Sequence, residues 1–231
     1  MKLLASDYDN TFYISDEDIV KNINKVKKFR KNNIFLIATG RSYEEFMEKD
    51  NIYHIPYDYL ILNHGTTIIK EGKVIYSKYI NYSILEELIK DLNVEISKYY
   101  RISNEIEMDN HELTPYTNKV RVKYYDKEYA KEKCNFITNK YGEYVTSHYV
   151  SKGYALEIVN NNVDKSIAIE YVRNLEGINK KDVYTVGDGV TDKLMLTTFN
   201  GFKMENSCLE IEKLDISKVS SVSELIDIMG S

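Results

Sequence analysis

Two carboxylates and a hydroxyl stand at alternate positions in the stretch DYDNT: Asp7, Asp9 and Thr11. Further along, Thr39-Gly40-Arg41 supplies another hydroxyl, GDGVTD supplies Asp188 and Asp192, and Lys165 opens the segment KSIAIEYVRNL. These residue types suit phosphoryl transfer. A carboxylate can attack phosphorus and form an acyl phosphate, but the two anions repel. A divalent cation such as Mg2+, which prefers carboxylate oxygens and keeps several waters, would hold nucleophile and phosphate together. Asp7 and Asp188 can supply those oxygens, with Asp192 on the same face of the following helix start. Asp9 is placed to act as an acid on a leaving oxygen and then as a base on water. Thr39 and Lys165 would neutralise the remaining phosphate oxygens. Any one of these acids alone would be an ordinary helix cap. A calcium loop beginning at Asp7 fails, because its sixth position is Phe12 where glycine is needed and a strand precedes it.

The elements that must position these residues are legible as apolar runs. KLLAS, IFLIATG and DYLILNHG read as buried strands, separated by the helical spacing of Ile19, Ile23, Val26 and Phe29 and by a short helix at SYEEFMEK. KLLAS ends in Asp7, IFLIA in Thr39-Gly40-Arg41, and a later strand, VYTVG, in Asp188. The carboxyl edge of an open parallel α/β sheet is where ligands bind. The middle of the chain changes rhythm. It reads as a hairpin turned at Glu71-Gly72, an amphipathic helix over SILEELIKDLNVEISKYY, strands at YRISNEIEM and KVRVKYYD, a helix at EYAKEKCNFITNKYG, and a hairpin of EYVTSHYV with YALEIVN. From Lys165 the alternation resumes with KSIAIEYVRNL, DVYTVGD, KLMLTTF and a final helix, VSELIDIM. The expected fold is α/β, a Rossmann-like parallel-sheet core of residues 1–80 and 156–231 with an inserted α+β domain at 81–155.

In order along the chain, DYDNT, TGR, the DK before a helix and GDGVTD resemble the four motifs of the haloacid dehalogenase (HAD) superfamily of phosphatases. ILNHG resembles an element of its Cof-type branch, GFKMENS the region after the fourth motif, and the insert a short form of that branch's C2 cap. The resemblance spans nearly the whole chain. It implies a Mg2+-dependent phosphatase with Asp7 as the nucleophile that becomes phospho-aspartate and as a metal ligand. It implies Asp9 as general acid/base with its backbone carbonyl on the metal, and Asp188 and Asp192 as the other metal-site acids. Phosphate binding would fall to Thr39, Gly40, Lys165 and Thr191. Thr191 departs from the pattern, which usually carries Asn there; Thr has a shorter reach and only one donor. The substrate implied is a small phosphorylated metabolite of sugar, polyol or glycolate type. A phosphomutase and a non-catalytic phospho-ligand scaffold are the alternatives, and the intact set of acids with Lys165 speaks against the scaffold.

Composition narrows the class further. The net charge of −5 gives no broad basic field, which argues against nucleic acid as a partner. No stretch approaches the roughly 18–20 apolar residues of a membrane span, and MKLLAS is too short for a signal-peptide core. Cys134 and Cys208 fit no zinc spacing and read as reduced thiols of a cytoplasmic protein, a monomer or homodimer. His64 reads as serving the turn after a strand, while His54, His111 and His148 form no ligand spacing. In KVRVKYY, Lys119, Arg121 and Lys123 share one strand face. The plainer expectation is a solvated face; should it cover the site, it would grip an anionic or polyol phosphate.

Overall fold

The structure is a computed structural model that describes residues 1–108, 112–150 and 153–230, so His111 lies outside the described residues. In chain order the strands are β1 (Leu3–Ser6), β2 (Ile34–Ala38), β3 (Tyr59–Leu62), β4 (Thr67–Lys70), β5 (Lys73–Ser77), β6 (Tyr99–Asn104), β7 (Glu107–Met108), β8 (Thr117–Lys123), β9 (Val145–Val150), β10 (Ala155–Asn160), β11 (Val183–Gly187), β12 (Asn200–Met204) and β13 (Ser217–Val219). The helices are α1 (Asp16–Phe29), α2 (Tyr43–Tyr53), α3 (Tyr82–Asp91), α4 (Lys127–Tyr141), α5 (Lys165–Leu175), α6 (Lys193–Thr198), α7 (Leu209–Glu212) and α8 (Val222–Ile228).

The continuous apolar runs become strands buried on both faces: every residue of β1, β2 and β3 is buried. They join an eight-stranded sheet in the order β13-β12-β11-β1-β2-β3-β4-β5. Pairing is parallel from β13 through β3, and the β3–β4 and β4–β5 pairings are antiparallel. Helices cover both faces, as a parallel sheet requires. On one side the apolar stripe of α1 packs with α8 over Leu4, Phe35 and Val186; on the other, Ala168, Ile169 and Val172 of α5 pack over Leu3, Ala5 and Leu36. The hairpin between β4 and β5 turns at Glu71 and Gly72, both with positive φ, the backbone a two-residue turn demands.

The smaller sheet is wholly antiparallel, in the order β7-β6-β8-β10-β9. Its Val120, Val122, Leu156 and Ile158 face α3 and α4 and close a third core with Leu85, Leu88 and Ile137. The opposite face of the sheet looks onto the carboxyl edge of the larger one, where Lys119 and Arg121 reach Gly40 and Glu45.

Three differences from the sequence reading have physical causes. The helix expected over 83–100 stops at Asp91: Asn93 takes a left-handed conformation, and Tyr99-Tyr100 enter β6 instead. The edge strand β13 and its neighbour β12, with the four-residue α7 between them, carry too little periodicity to be read as elements. β10 belongs to the smaller sheet as far as Asn160, so the chain returns to the larger sheet's layers only at α5.

Candidate active site

β1 lies between β11 and β2, which brings the three polar strand ends side by side. Asp7 leaves β1 with its N–H donating to the Val186 carbonyl at 2.9 Å, still in the line of the sheet. Lys165 stands first in α5, whose N-cap Asp164 accepts from the Ser166 and Ile167 N–H groups. That cap directs the buried Lys165 Nζ to Asp7 Oδ1 and Asp192 Oδ1, each at 2.6 Å. Asp192 Oδ2 accepts from the N–H groups of Asp188 (3.0 Å) and Gly189 (2.9 Å), so this acid holds both the lysine and the loop after β11. Gly187 makes the turn possible: a Cβ there would lie 2.5 Å from the Asp192 carboxyl carbon. Thr11 Oγ1 donates to Asp188 Oδ1 at 2.9 Å.

One ammonium is thus set among three acids. Carboxylate oxygens of Asp7, Asp188 and Asp192 lie within 4.8 Å of one another. Burial and then Asp192 push the Asp7 carboxyl well above its ordinary range, against the pull of Lys165. Burial and Asp192 also push Asp188 up, to about 6. Burial works against the charged form of Lys165, but Asp192 and Asp7 outweigh it and raise its pKa. A lysine held charged beside acids that resist ionisation means that this cluster is short of positive charge. A hard divalent cation with oxygen ligands fits the donor set and supplies that charge.

The remaining expected residues lie around the same cavity, about 610 Å3 in volume. Thr39 is buried and its Oγ1 accepts from the Arg41 N–H at 3.1 Å. Gly40 packs on the ring of His64, where a Cβ would come within 2.5 Å of Cε1, and Thr191 lines the wall beside Asp188. The Asp9 carboxylate does not join the acidic cluster. It accepts two hydrogen bonds from Arg41, Nε to Oδ2 at 2.8 Å and Nη2 to Oδ1 at 2.7 Å.

The smaller sheet closes the cavity with Glu157, which sequence reasoning did not single out, and with the basic residues of β8. Glu157 of β10 is buried; its Oε2 accepts from His64 Nε2 at 2.6 Å, and its Oε1 lies 3.3 Å from Arg121 Nε. Arg121 Nη1 donates to Glu45 Oε1 at 2.7 Å, and Lys119 Nζ to the Gly40 carbonyl at 2.8 Å. Burial opposes the charge on Glu157, but Lys119, His64 and Arg121 hold its carboxyl far below the ordinary range. The basic face of β8 is therefore no solvated surface: Lys119 is buried and Arg121 lines the cavity. Its alternation was the available signal. His64 does serve the turn after β3, with φ of 61°, and also forms part of the wall. The His148 ring packs against it at a tilt of 34°, with 4.6 Å between ring centroids. Nothing in single-sequence spacing links His64, His148 and Glu157, because cross-sheet contact alone joins them.

An acid-bearing edge of a parallel α/β sheet, covered by a small antiparallel sheet, is the architecture of a HAD-type hydrolase. The family model for haloacid dehalogenase-like hydrolases matches residues 4–99 and 93–214, and the chain belongs to that family, as the four motifs led us to expect. A Buchnera aphidicola (subspecies Baizongia pistaciae) protein named "Putative phosphatase" is 28% identical, covering 91% of this chain and 89% of that one. An uncharacterized Mycoplasma capricolum protein is 27% identical over 86% of this chain and 88% of its own length. Among solved structures, a haloacid dehalogenase-like hydrolase from B. subtilis superposes with a TM-score of 0.84 at 17% identity, covering 98% of this chain and 99% of that one. A HAD/COF-like hydrolase from Plasmodium vivax gives 0.81 at 20% identity over 100% and 95%. These two show the shared fold.

Proposed function

We propose that the chain is a Mg2+-dependent phosphomonoesterase acting on a small phosphorylated metabolite. The observation that carries this reading is Lys165 bridging Asp7 and Asp192, with Asp188 alongside, at the carboxyl ends of β1 and β11. Mg2+, held by Asp7, Asp188, Asp192 and the Asp9 carbonyl, would supply the charge that lets a carboxylate approach an anionic phosphate. Asp7 Oδ attacks phosphorus, and the P–O bond to the leaving alcohol breaks. Asp9 enters as the carboxylic acid and gives that oxygen its proton; the carboxylate it becomes then takes a proton from the water that cleaves the phospho-aspartate, and the enzyme is restored with release of phosphate. Arg41 pairs with the carboxylate form of Asp9 and so steadies it between the two transfers. Lys165 and Thr39 bind the phosphate oxygens, with the Gly40 and Thr191 loops beside them. The unit of β6–β10 with α3 and α4 acts as the cap that excludes bulk water. The reading of Asp9 and Lys165 as working groups is supported by their lining one cavity together with Asp7, Asp188 and Asp192.

Turnover of p-nitrophenyl phosphate tests the reading. Activity should require Mg2+, vanish on chelation, and fall by at least about 10³-fold in Asp7→Asn. An inert wild-type enzyme, or an active Asp7→Asn variant, would refute it.

A further inference from the structure

The contacts that the smaller sheet makes with the larger unit converge on one short stretch, the loop after β2. From β8, Lys119 Nζ donates to the Gly40 carbonyl at 2.8 Å, and Arg121 Nη1 reaches Glu45, whose Oε2 accepts from the Ser42 N–H at 3.0 Å. From β10, Glu157 holds His64, the ring on which Gly40 packs. The larger unit's own backbone grips this loop on either side of Gly40. The His64 N–H donates to the Thr39 carbonyl at 3.1 Å, and the Asn63 N–H to the Arg41 carbonyl at 2.9 Å. The peptide between Gly40 and Arg41 is held differently: its carbonyl accepts from Lys119, and its N–H donates to Thr39 Oγ1 at 3.1 Å. With 2% of its surface exposed, behind the residues that line the cavity, Lys119 is out of a substrate's reach.

We infer that Lys119 is a positioning residue: it reaches across from the smaller unit and, through the Gly40–Arg41 peptide, orients the Thr39 hydroxyl that binds the substrate's phosphate. The role of Thr39 in this inference rests on the phosphatase reading above. A trans peptide is planar, with its C=O and N–H pointing in opposite directions, so fixing one fixes the other. Lys119 draws the carbonyl toward β8, and the N–H is thereby turned to Thr39. Thr39 Oγ1 accepts from that N–H, which leaves its own hydrogen to donate to a phosphate oxygen. Without the lysine the peptide is free to tilt, the N–H leaves Oγ1, and the threonine rotamer is no longer set. The phosphate subsite is thus complete when the two units are joined, and by linkage a bound phosphate favours their staying joined.

A double-mutant cycle tests this, read by phosphate binding and not by turnover. Calorimetry with Mg2+ present would give the Kd of inorganic phosphate for the wild type, Lys119→Met, Thr39→Val and the double variant. Each single variant should weaken binding by about tenfold, and the double variant should bind no more weakly than Thr39→Val, because both changes act through one hydroxyl. Lys119→Arg, which keeps a donor for the Gly40 carbonyl, should recover most of the affinity. Where Lys119→Met does not fold, Lys119→Gln runs the same cycle, its shorter chain drawing the donor away from that carbonyl. Additive losses in the double variant, or binding by Lys119→Met within about twofold of the wild type, overturn the positioning role, while p-nitrophenyl phosphate turnover leaves the phosphatase reading intact. If the wild type neither turns over p-nitrophenyl phosphate nor binds inorganic phosphate, both fall together.

Discussion

Thr11 has no part in the proposed chemistry, yet its hydrogen bond restrains an acid that has. Its hydroxyl donates to Asp188 Oδ1 and so restrains a carboxyl group that has an oxygen within 4.8 Å of Asp7 and Asp192. Groups that orient a ligating carboxylate typically change metal affinity by about 10–100-fold when removed. Thr11→Val keeps the shape and deletes the hydrogen bond. It should raise the Mg2+ concentration for half-maximal activity by about tenfold, with little change in kcat at saturating Mg2+; an unchanged Mg2+ titration would show that Asp188 is positioned by the main chain alone. At this scale the sequence was most readable where an acid follows a buried run, as at Asp7 and Asp188. It was silent where the role depends on a distant partner: Arg41 is 32 residues from the Asp9 it holds.

At the scale of elements, β8 joins the two sheets. Alternation puts Val120 and Val122 into the core of the smaller unit and turns Lys119 and Arg121 toward the loop after β2 and the first turn of α2. Lys119 gives up solvation and is repaid by the Gly40 carbonyl and the Glu45 and Glu157 carboxylates. Lys119→Met preserves length and packing but takes a cation from the buried Glu157 and the half-buried Glu45, at a cost of about 3 kcal/mol. Urea unfolding should show that loss for Lys119→Met, and about 0.5 kcal/mol or less for Lys123→Met on the same strand; equal effects would mean that β8 contributes no special clasp. The parallel strands and α5 were legible because a long apolar run or a full helical stripe leaves little ambiguity. The end of α3 was not: Asn93 can sit in a helix as well as end one, and tertiary pairing of Tyr99 and Tyr100 with β8 decides the matter.

For the whole molecule, the joint between the sheets makes stability depend on pH. His64 comes from the turn after β3 and His148 from β9; their rings pack tilted against each other, His64 bonded to Glu157 of β10, with Lys165 adding positive charge from α5. Burial, and then the neighbouring His64, push the His148 pKa down to about 3 from an ordinary 6.5. Between those values the unfolded chain binds a proton at this residue that the folded chain refuses, so stability falls as pH falls below 6.5. Glu157 acts in a lower window. Its carboxyl is depressed in the fold, so its contribution is complete above the ordinary value of 4.5 and is lost only as pH drops below it. Asp188, pushed up to about 6, works in the opposite direction as pH falls below 6, because the folded state then takes up the proton first. The difference between wild type and a variant isolates His148 from both. His148→Phe keeps a ring against His64 and removes the titrating nitrogen. Urea unfolding at pH 7 and pH 5 should show the wild type losing about 1–2 kcal/mol more than His148→Phe over that interval. Identical losses would place the proton uptake elsewhere and leave the joint between the sheets indifferent to acid in that range.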